Sequence, residues 1–221
     1  MTNALVIFAR YPRLGHVKTR LASLLNAEGC LALHRAFLLD TLDRTADLKA
    51  RRYLYLSGCT DQEQTEFARR YSLHDTLIDI RPQKGTDLGD HLWNAYLEVS
   101  QEIPRVVFIG TDSPSLPTRY INDALTKLAD YPVVVGPCQD GGYYLIGLSQ
   151  ARPELFRDIQ WGTPSVLEQT LSSLKLDEYA LLSSWYDVDH GTDLVRLRND
   201  LKTPFEGFPR RTAEYFRAIN I

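Results

Sequence analysis

The stretch "GTDSPSLP" places Asp112 directly after the apolar run Val106 to Ile109. A buried strand has no use for a charge at its tip, whereas a metal-dependent phosphate site does. Ser113 precedes Pro114 and is pushed towards extended backbone, so the turn aims the carboxylate in one direction. Hard divalent cations take oxygen ligands, and magnesium commonly uses one or two carboxylates together with substrate phosphates. The plainer role for Asp112 is an Asx-turn or a helix cap at the strand end. Much later, "YDVDHGTDL" sets Asp187 and Asp189 two positions apart. In an extended segment both carboxylates then share a face. Either can complete a metal site with Asp112, or Asp189 or Thr192 can cap the next helix.

Three further groups carry polar chemistry. In "FARYPRLGHVKTRL" an apolar strand runs into a loop containing Gly15, with a helix expected to begin near Lys18. Arg10, Arg13, Lys18 and Arg20 crowd that turn. Free N–H groups at a helix entry, added cations and the helix dipole suit a diphosphate. The spacing is neither GxxxxGK[ST] nor GxGxxG, and a solvated basic turn is the bland alternative. In "QKGTDLGDHL", Gly85, Thr86 and Gly89 let backbone approach a flat base or a ribose, while Asp87 can simply cap the next helix. "PCQDGGYYLIGL" puts Asp140 before Gly141 and Gly142, which also reads as a hairpin turn. Of the histidines, His16 sits in the basic loop, His91 comes after the second motif and His190 adjoins the late acidic pair. His34 and His74 lie in helical or surface-like contexts. No Ser/His/Asp or Cys/His arrangement is apparent, and each histidine reads as structural first.

The elements that must position these residues alternate. Strands are expected at Ala4–Ala9, Arg52–Ser57, Thr76–Pro82, Arg105–Gly110, Val133–Gly136, Gly142–Leu148 and Tyr179–Leu182. Helices are expected at Leu21–Ala46, with Leu31, Leu38 and Leu42 on one stripe and a break near Asn26, and at Asp61–Tyr71, Leu88–Val99, Tyr120–Ala129, Ser165–Leu174, Asp193–Leu201 and Arg211–Ala218. Strand–helix alternation implies right-handed βαβ crossovers and a mostly parallel sheet. Continuous apolar strands fit a sheet covered on both faces. The 221 residues, 44% of them apolar, suit one α/β domain spanning 1–221. Ligands of such sheets sit beyond the carboxyl ends of the strands, where these motifs fall.

A formal charge of −3 gives no reason to expect nucleic acid as a partner. Cys30, Cys59 and Cys138 are odd in number and lack CxxC spacing, which suggests neither a disulfide framework nor a zinc site. The apolar run at Ala4–Ala9 is too short for a signal-peptide core, and nothing approaches the ~20 apolar residues of a membrane span. The cytoplasm is the expected location.

Taken in order, FARxPxxGxxKTRL, the GTDLG loop, GTDSPxLP, DGGYYLIGL and DVD resemble the bacterial GT-A-fold glycosyltransferases associated with arsenosugar biosynthesis or radical-SAM/selenodomain gene sets. The match runs from about Leu5 to Leu197. The wider nucleotide-diphospho-sugar transferase superfamily also contains nucleotidyltransferases. The resemblance implies a Rossmann-like GT-A fold, a three-layer αβα sandwich around a mostly parallel mixed sheet. It implies nucleotide binding by Arg10, Gly15, Lys18 and Arg20, with Mg2+ or Mn2+ held by Asp112 and Asp189. "QKGT" is similar to the base-reading segment of sugar nucleotidyltransferases, which adds Gln83, Gly85 and Thr86. Asp112 and Lys18 would then act in catalysis. Asp140 would serve the sugar or acceptor, as a base for the latter, alongside Gly141, Gly142 and His190. Leu14 replaces a common proline, His91-Leu92 replaces Arg-Met, and "DVDHGTDL" stands where DVDTPEDL is usual, removing a Thr-Pro helix start.

The expected activity is glycosyl transfer from a nucleotide sugar to a small-molecule acceptor. The alternative is nucleotidyl transfer from an NTP with release of pyrophosphate. A third class, a nucleotide sensor without turnover, has no need of Asp112 and Asp189 poised on a leaving group. Donor, acceptor and oligomeric state are open from the sequence.

Overall fold

Ala4, Leu5, Val6 and Ile7 are all fully buried, which a strand achieves only at the centre of a sheet covered on both sides. They form β1 (Asn3–Arg10) in a computed structural model that describes every residue except 72, 74–77, 206, 220 and 221. His74 and the expected strand start at Thr76-Leu77 lie outside the described residues. Parallel to β1 run β2 (Arg51–Ser57) on one side and β4 (Arg105–Ile109) on the other, and β3 (Ile78–Pro82) continues beyond β2. Beyond β4 come β6 (Tyr143–Leu148), β5 (Val133–Pro137) and β7 (Tyr179–Leu181), giving the order β3-β2-β1-β4-β6-β5-β7. β6 is antiparallel to both β4 and β5, whereas β7 is parallel to β5. The sheet is thus mixed but mostly parallel.

The pleat sends alternate side chains to opposite faces. Leu5, Ile7 and Ala9 meet Leu38 and Leu42 of α1 (Ala22–Arg44), Phe67 of α2 (Asp61–Arg70), and Ile121 and Leu125 of α4 (Thr118–Lys127). Ala4 and Val6 meet Leu92, Tyr96 and Val99 of α3 (Leu88–Ser100) on the other face. The result is the three-layer αβα arrangement. α5 (Val166–Leu171), α6 (Gly191–Asp200) and α7 (Arg210–Ile219) complete it, with Val188, Leu194 and Phe216 packing on Leu21, Leu33 and Phe37. α7 is fixed by a distant cap: Asp40 accepts from the Thr212 N–H at 2.8 Å, the Thr212 hydroxyl at 2.7 Å and the Arg211 N–H at 3.0 Å.

Every expected strand and helix is found, and among the described residues their ends are displaced by a turn or less. The break expected in α1 is at Asn26 (φ 52°, ψ −179°), whose side chain accepts the Gly29 N–H at 2.9 Å and so caps the helix beyond it. The helix expected near Lys18 starts later. A single 3-10 turn, Thr19–Leu21, precedes α1. The three cysteines are free. Among the described residues no helix is long and apolar enough to cross a membrane.

The chain leaves β1 for β2 and β3 on one side and returns to β4 on the other. This reversal opens a crevice at the carboxyl ends of β1 and β4.

Candidate functional site

A cleft of about 670 Å³ occupies that crevice. β1 contributes Phe8, Ala9 and Arg10, β2 contributes Ser57, and the segment after β3 contributes Gln83. The turn after β4 contributes Gly110, Thr111 and Asp112, the start of α3 contributes Leu88 and His91, and Lys18, Arg20, His34 and Asp189 add to the wall. Six of the residues assigned to the site from the sequence therefore converge, Arg10, Lys18, Arg20, Gln83, Asp112 and Asp189, and His34 and His91 join them.

Lys18 is the centre of the group. It takes a left-handed conformation (φ 49°), uncommon for a residue with a Cβ. Its ammonium lies over the Phe37 ring, 5.4 Å from the ring centroid. The side chain is only 4% exposed, and Nζ donates to Asp112 Oδ1 at 2.7 Å, Asp189 Oδ1 at 3.2 Å and Val188 O at 2.6 Å. The two carboxylates thus lie close together, well inside the ~8 Å beyond which they could not share one ion. Arg20 adds a second cation on Asp189 Oδ2, at 3.1 Å. Burial works against both charges of the central pair. The partners overcome it: Lys18 and its hydrogen bond hold the Asp112 carboxyl below its ordinary range, and Asp112 and Asp189 push the Lys18 ammonium up.

Local sequence explains how the acids arrive there. The Val188 N–H donates to Asp112 O at 2.9 Å, which ties the late acidic segment to the tip of β4. Ser113 donates to Asp187 Oδ1 at 2.5 Å, so the first acid of the pair faces the β4 turn. The loss of Thr-Pro does not prevent α6 from starting. Asp193 accepts the N–H groups of Asp189 and His190 at 3.0 and 2.7 Å, and the Asp189 carboxylate is left to the cleft.

Asp140, Gly141, Gly142 and His190 do not line the cleft. The DGG segment is the hairpin between β5 and β6: Asp140 Oδ1 accepts the Gly142 N–H at 3.0 Å, and Gly141 has φ 91°. A Cβ on Gly141 would stand 2.0 Å from Pro164 O, so the turn seats the loop before α5. Asp140 nevertheless reaches the site's edge, since Cys138, Asp140 and Asp187 each bring one ligand-type atom within 4.8 Å of the others. Among the described residues this group can hold a metal ion. Burial, then Asp112 and Asp140, push the Asp187 carboxyl up to about 6. Burial, then Asp187 and Asp140, push the Cys138 thiol up to about 12. A protonated thiol is a poor ligand for Mg2+ or Mn2+, which take oxygen; the chemistry of the donors favours Asp112 and Asp189. The Lys18 ammonium between those two is itself a stand-in for a cation, so the pair fits such an ion.

The remaining expected residues have local duties. Gly15 sits in a left-handed turn outside the cleft lining, and His190 is exposed at the start of α6. Gly85 has φ 131°, and the hydroxyl and N–H of Thr86 both donate to Asp90 Oδ2, at 2.6 and 3.0 Å. Asp87 caps α3 through the Asp90 N–H at 2.8 Å. Arg13 turns away to Glu63 and the Gly58 carbonyl. The Gln83 amide donates to Tyr55 O at 3.0 Å and Ala9 O at 3.3 Å, which fixes its orientation.

One contributor, Arg44, escaped the sequence reading, and a second, His34, was read there as a structural residue in a helical or surface-like context. Arg44, at the end of α1, donates from one nitrogen to the carbonyls of Ser113, Pro114 and Leu116 at 3.1, 2.7 and 2.9 Å, clamping the turn that carries Asp112. A basic residue at a helix C-terminus gives no hint of this. His34 is buried in the cleft wall, with Nε2 2.9 Å from Arg10 O, and burial lowers its pKa. Its position beside Leu33, Ala36 and Phe37 on an apolar helix face was the available signal.

A sequence profile for bacterial proteins described as "uncharacterized protein conserved in bacteria (DUF2064)" matches residues 41–163. A solved structure from Desulfovibrio desulfuricans G20, provisionally named a nucleotide-diphospho-sugar transferase, is 30% identical with a TM-score of 0.90, over 99% of this chain and 95% of that one. Rv0371c from Mycobacterium tuberculosis H37Rv (19% identity, TM-score 0.54, 89% and 97% coverage) shares the fold. So does 4-diphosphocytidyl-2C-methyl-D-erythritol synthase from Anaerococcus prevotii DSM 20548 (10% identity, TM-score 0.59, 91% and 96% coverage). Curated proteins gave no match.

Proposed function

The chain belongs to the bacterial DUF2064 family, and from that premise we propose that it is a metal-dependent transferase using a nucleotide-activated donor, with glycosyl transfer to a small-molecule acceptor as its reaction. The D. desulfuricans relative, by its name, supports the superfamily. The ordered motifs support the narrower likeness to the arsenosugar- and selenodomain-associated glycosyltransferases. One observation carries the reading: Asp112 and Asp189 converge on a single cation position, flanked by Arg10 and Arg20, in the crevice at the β1/β4 reversal.

Asp112 and Asp189 would hold Mg2+ or Mn2+, which when bound offsets charge on the diphosphate. Arg10 and Arg20 add positive charge where the leaving diphosphate gains negative charge, so they stabilise the transition state more than the ground state, and Lys18 borders the same cleft. Gln83, whose amide nitrogen is held by two backbone carbonyls, would read a base edge. Asp140 stands beside Asp187, at the margin of the site. That position suits the acceptor, whose hydroxyl proton Asp140 would take as it attacks the anomeric carbon.

Nucleotidyl transfer is the second reading, favoured by Gln83 of the "QKGT" segment lining the cleft. The products separate the two. Chromatography after incubation with a panel of nucleotide sugars, or of nucleoside triphosphates with sugar phosphates, should show a released nucleoside diphosphate. Pyrophosphate instead would establish the second reading, and metal-dependent binding without any product would leave a sensor.

A further inference from the structure

The Lys18 ammonium has three N–H donors, and Asp112, Asp189 and the Val188 carbonyl take all three. No donor is left for a phosphate. The nitrogen also fills the place between the two carboxylates where a shared divalent ion must sit. Lys18 therefore cannot hold this position and serve a diphosphate at once. We infer that Lys18 is the resident counter-ion of the Asp112–Asp189 seat, that a divalent ion must displace it, and that the displaced ammonium turns onto the donor diphosphate. This rests on the transferase reading above and adds to it an order of events and a coupling.

The geometry supports an exchange rather than a permanent bond. Asp112 and Asp189 are 45% and 38% exposed towards the cleft, so an ion can approach both from the open side. The four-carbon stem of Lys18 is flexible, and the ammonium borders the same cleft as Arg10 and Arg20. Without a cation, two carboxylates this close would repel each other; Lys18 removes that conflict in the resting protein. Metal entering alone must separate Lys18 from both acids and leave the ammonium in a largely buried place with one carbonyl. Metal entering with a diphosphate gives the ammonium a new anionic partner. Metal and nucleotide consequently help each other to bind, and by linkage the help is equal in both directions.

The test is a titration with Mn2+ alone, following the electron paramagnetic resonance signal of the free ion, on the wild-type chain, Lys18→Met and Lys18→Gln. Methionine keeps an unbranched apolar side chain of similar length, and glutamine keeps a donor for the Val188 carbonyl. With the competitor gone, both variants should bind Mn2+ about tenfold more tightly than wild type, within the usual range of coupling between sites. Saturating Mn2+ should also raise their melting temperatures more than it raises that of the wild type. Equal or weaker Mn2+ binding by the variants would overturn the exchange. If none of the three proteins binds Mn2+, the exchange falls together with the metal part of the transferase reading. Titration of wild type with UDP and GDP then shows whether nucleotide binding, the rest of that reading, survives.

Discussion

Replacing Asp112 by Asn separates the charge of the site from its shape. The amide keeps the size of the carboxylate, and its oxygen can still accept from Lys18. The backbone bond from Val188 N to Asp112 O, at 2.9 Å, does not involve the side chain. Removing one partner of a fully buried ion pair costs ~3–5 kcal/mol. Here the lost charge is 45% exposed, and Lys18 keeps Asp189 at 3.2 Å and the Val188 carbonyl at 2.6 Å. Water screening brings the expected loss down to about 1 kcal/mol. For a chain of this length that lowers Tm by about 2–4 °C. Metal binding should fail outright, because a neutral amide cannot supply the charge that holds a divalent ion. Thermal unfolding followed by circular dichroism, with and without Mn2+ and a nucleotide-sugar panel, reads both effects. The metal-dependent rise in Tm should disappear while the unliganded fold survives. Normal turnover in saturating Mn2+ would show that Asp112 is not a ligand, and a Tm loss beyond about 10 °C would show that its carboxylate holds the fold.

Lys18→Ala should weaken binding of a nucleoside diphosphate far more than binding of the bare nucleoside in calorimetric titrations with Mn2+; equal losses would move Lys18 away from the phosphates. Gly141→Ala places a Cβ 2.0 Å from Pro164 O at φ 91°, and should destabilise by at least ~2 kcal/mol through strain and overlap; an unchanged Tm would contradict that packing. Asp40 has its pKa raised by burial, against the opposing pull of its Thr212 and Arg211 bonds. A carboxyl raised on folding contributes most stability below its unfolded pKa and loses that contribution as pH rises through the folded value. Asp40→Asn should therefore flatten the dependence of Tm on pH above the ordinary carboxylate range, while costing about 1–3 kcal/mol for the cap donors it leaves unpaired.

The strands were legible because apolar β-branched runs such as Val133–Val135 have few other uses, and the α1 break because Asn26 can both take positive φ and cap the helical turns beyond it. Asp112 and Asp189 were legible as a pair from order and residue type. The place of β6 between β4 and β5 was not, since alternation fixes the sequence of elements and not the order of strands in the sheet. Nor could spacing show that Lys18, in a left-handed conformation, turns inward to both carboxylates. The clamp by Arg44 joins carbonyls far away in sequence, and carbonyls carry no residue-type signature. Asp140, Gly141 and Gly142 read equally well as a hairpin and as ligand contacts; their hairpin role is visible in the fold, while Asp140 stands at the site's margin.

A crystal structure with Mn2+ and a nucleoside diphosphate decides whether the two acids share a metal ion. One ion is expected, with an oxygen of Asp112 and an oxygen of Asp189 both at ~2.0–2.6 Å. It should bridge to the diphosphate, with Lys18 Nζ moved onto a phosphate oxygen and the base beside Gln83. An ion seated instead on Cys138, Asp140 and Asp187, or a diphosphate bound while Lys18 still joins Asp112 to Asp189, would contradict the shared seat.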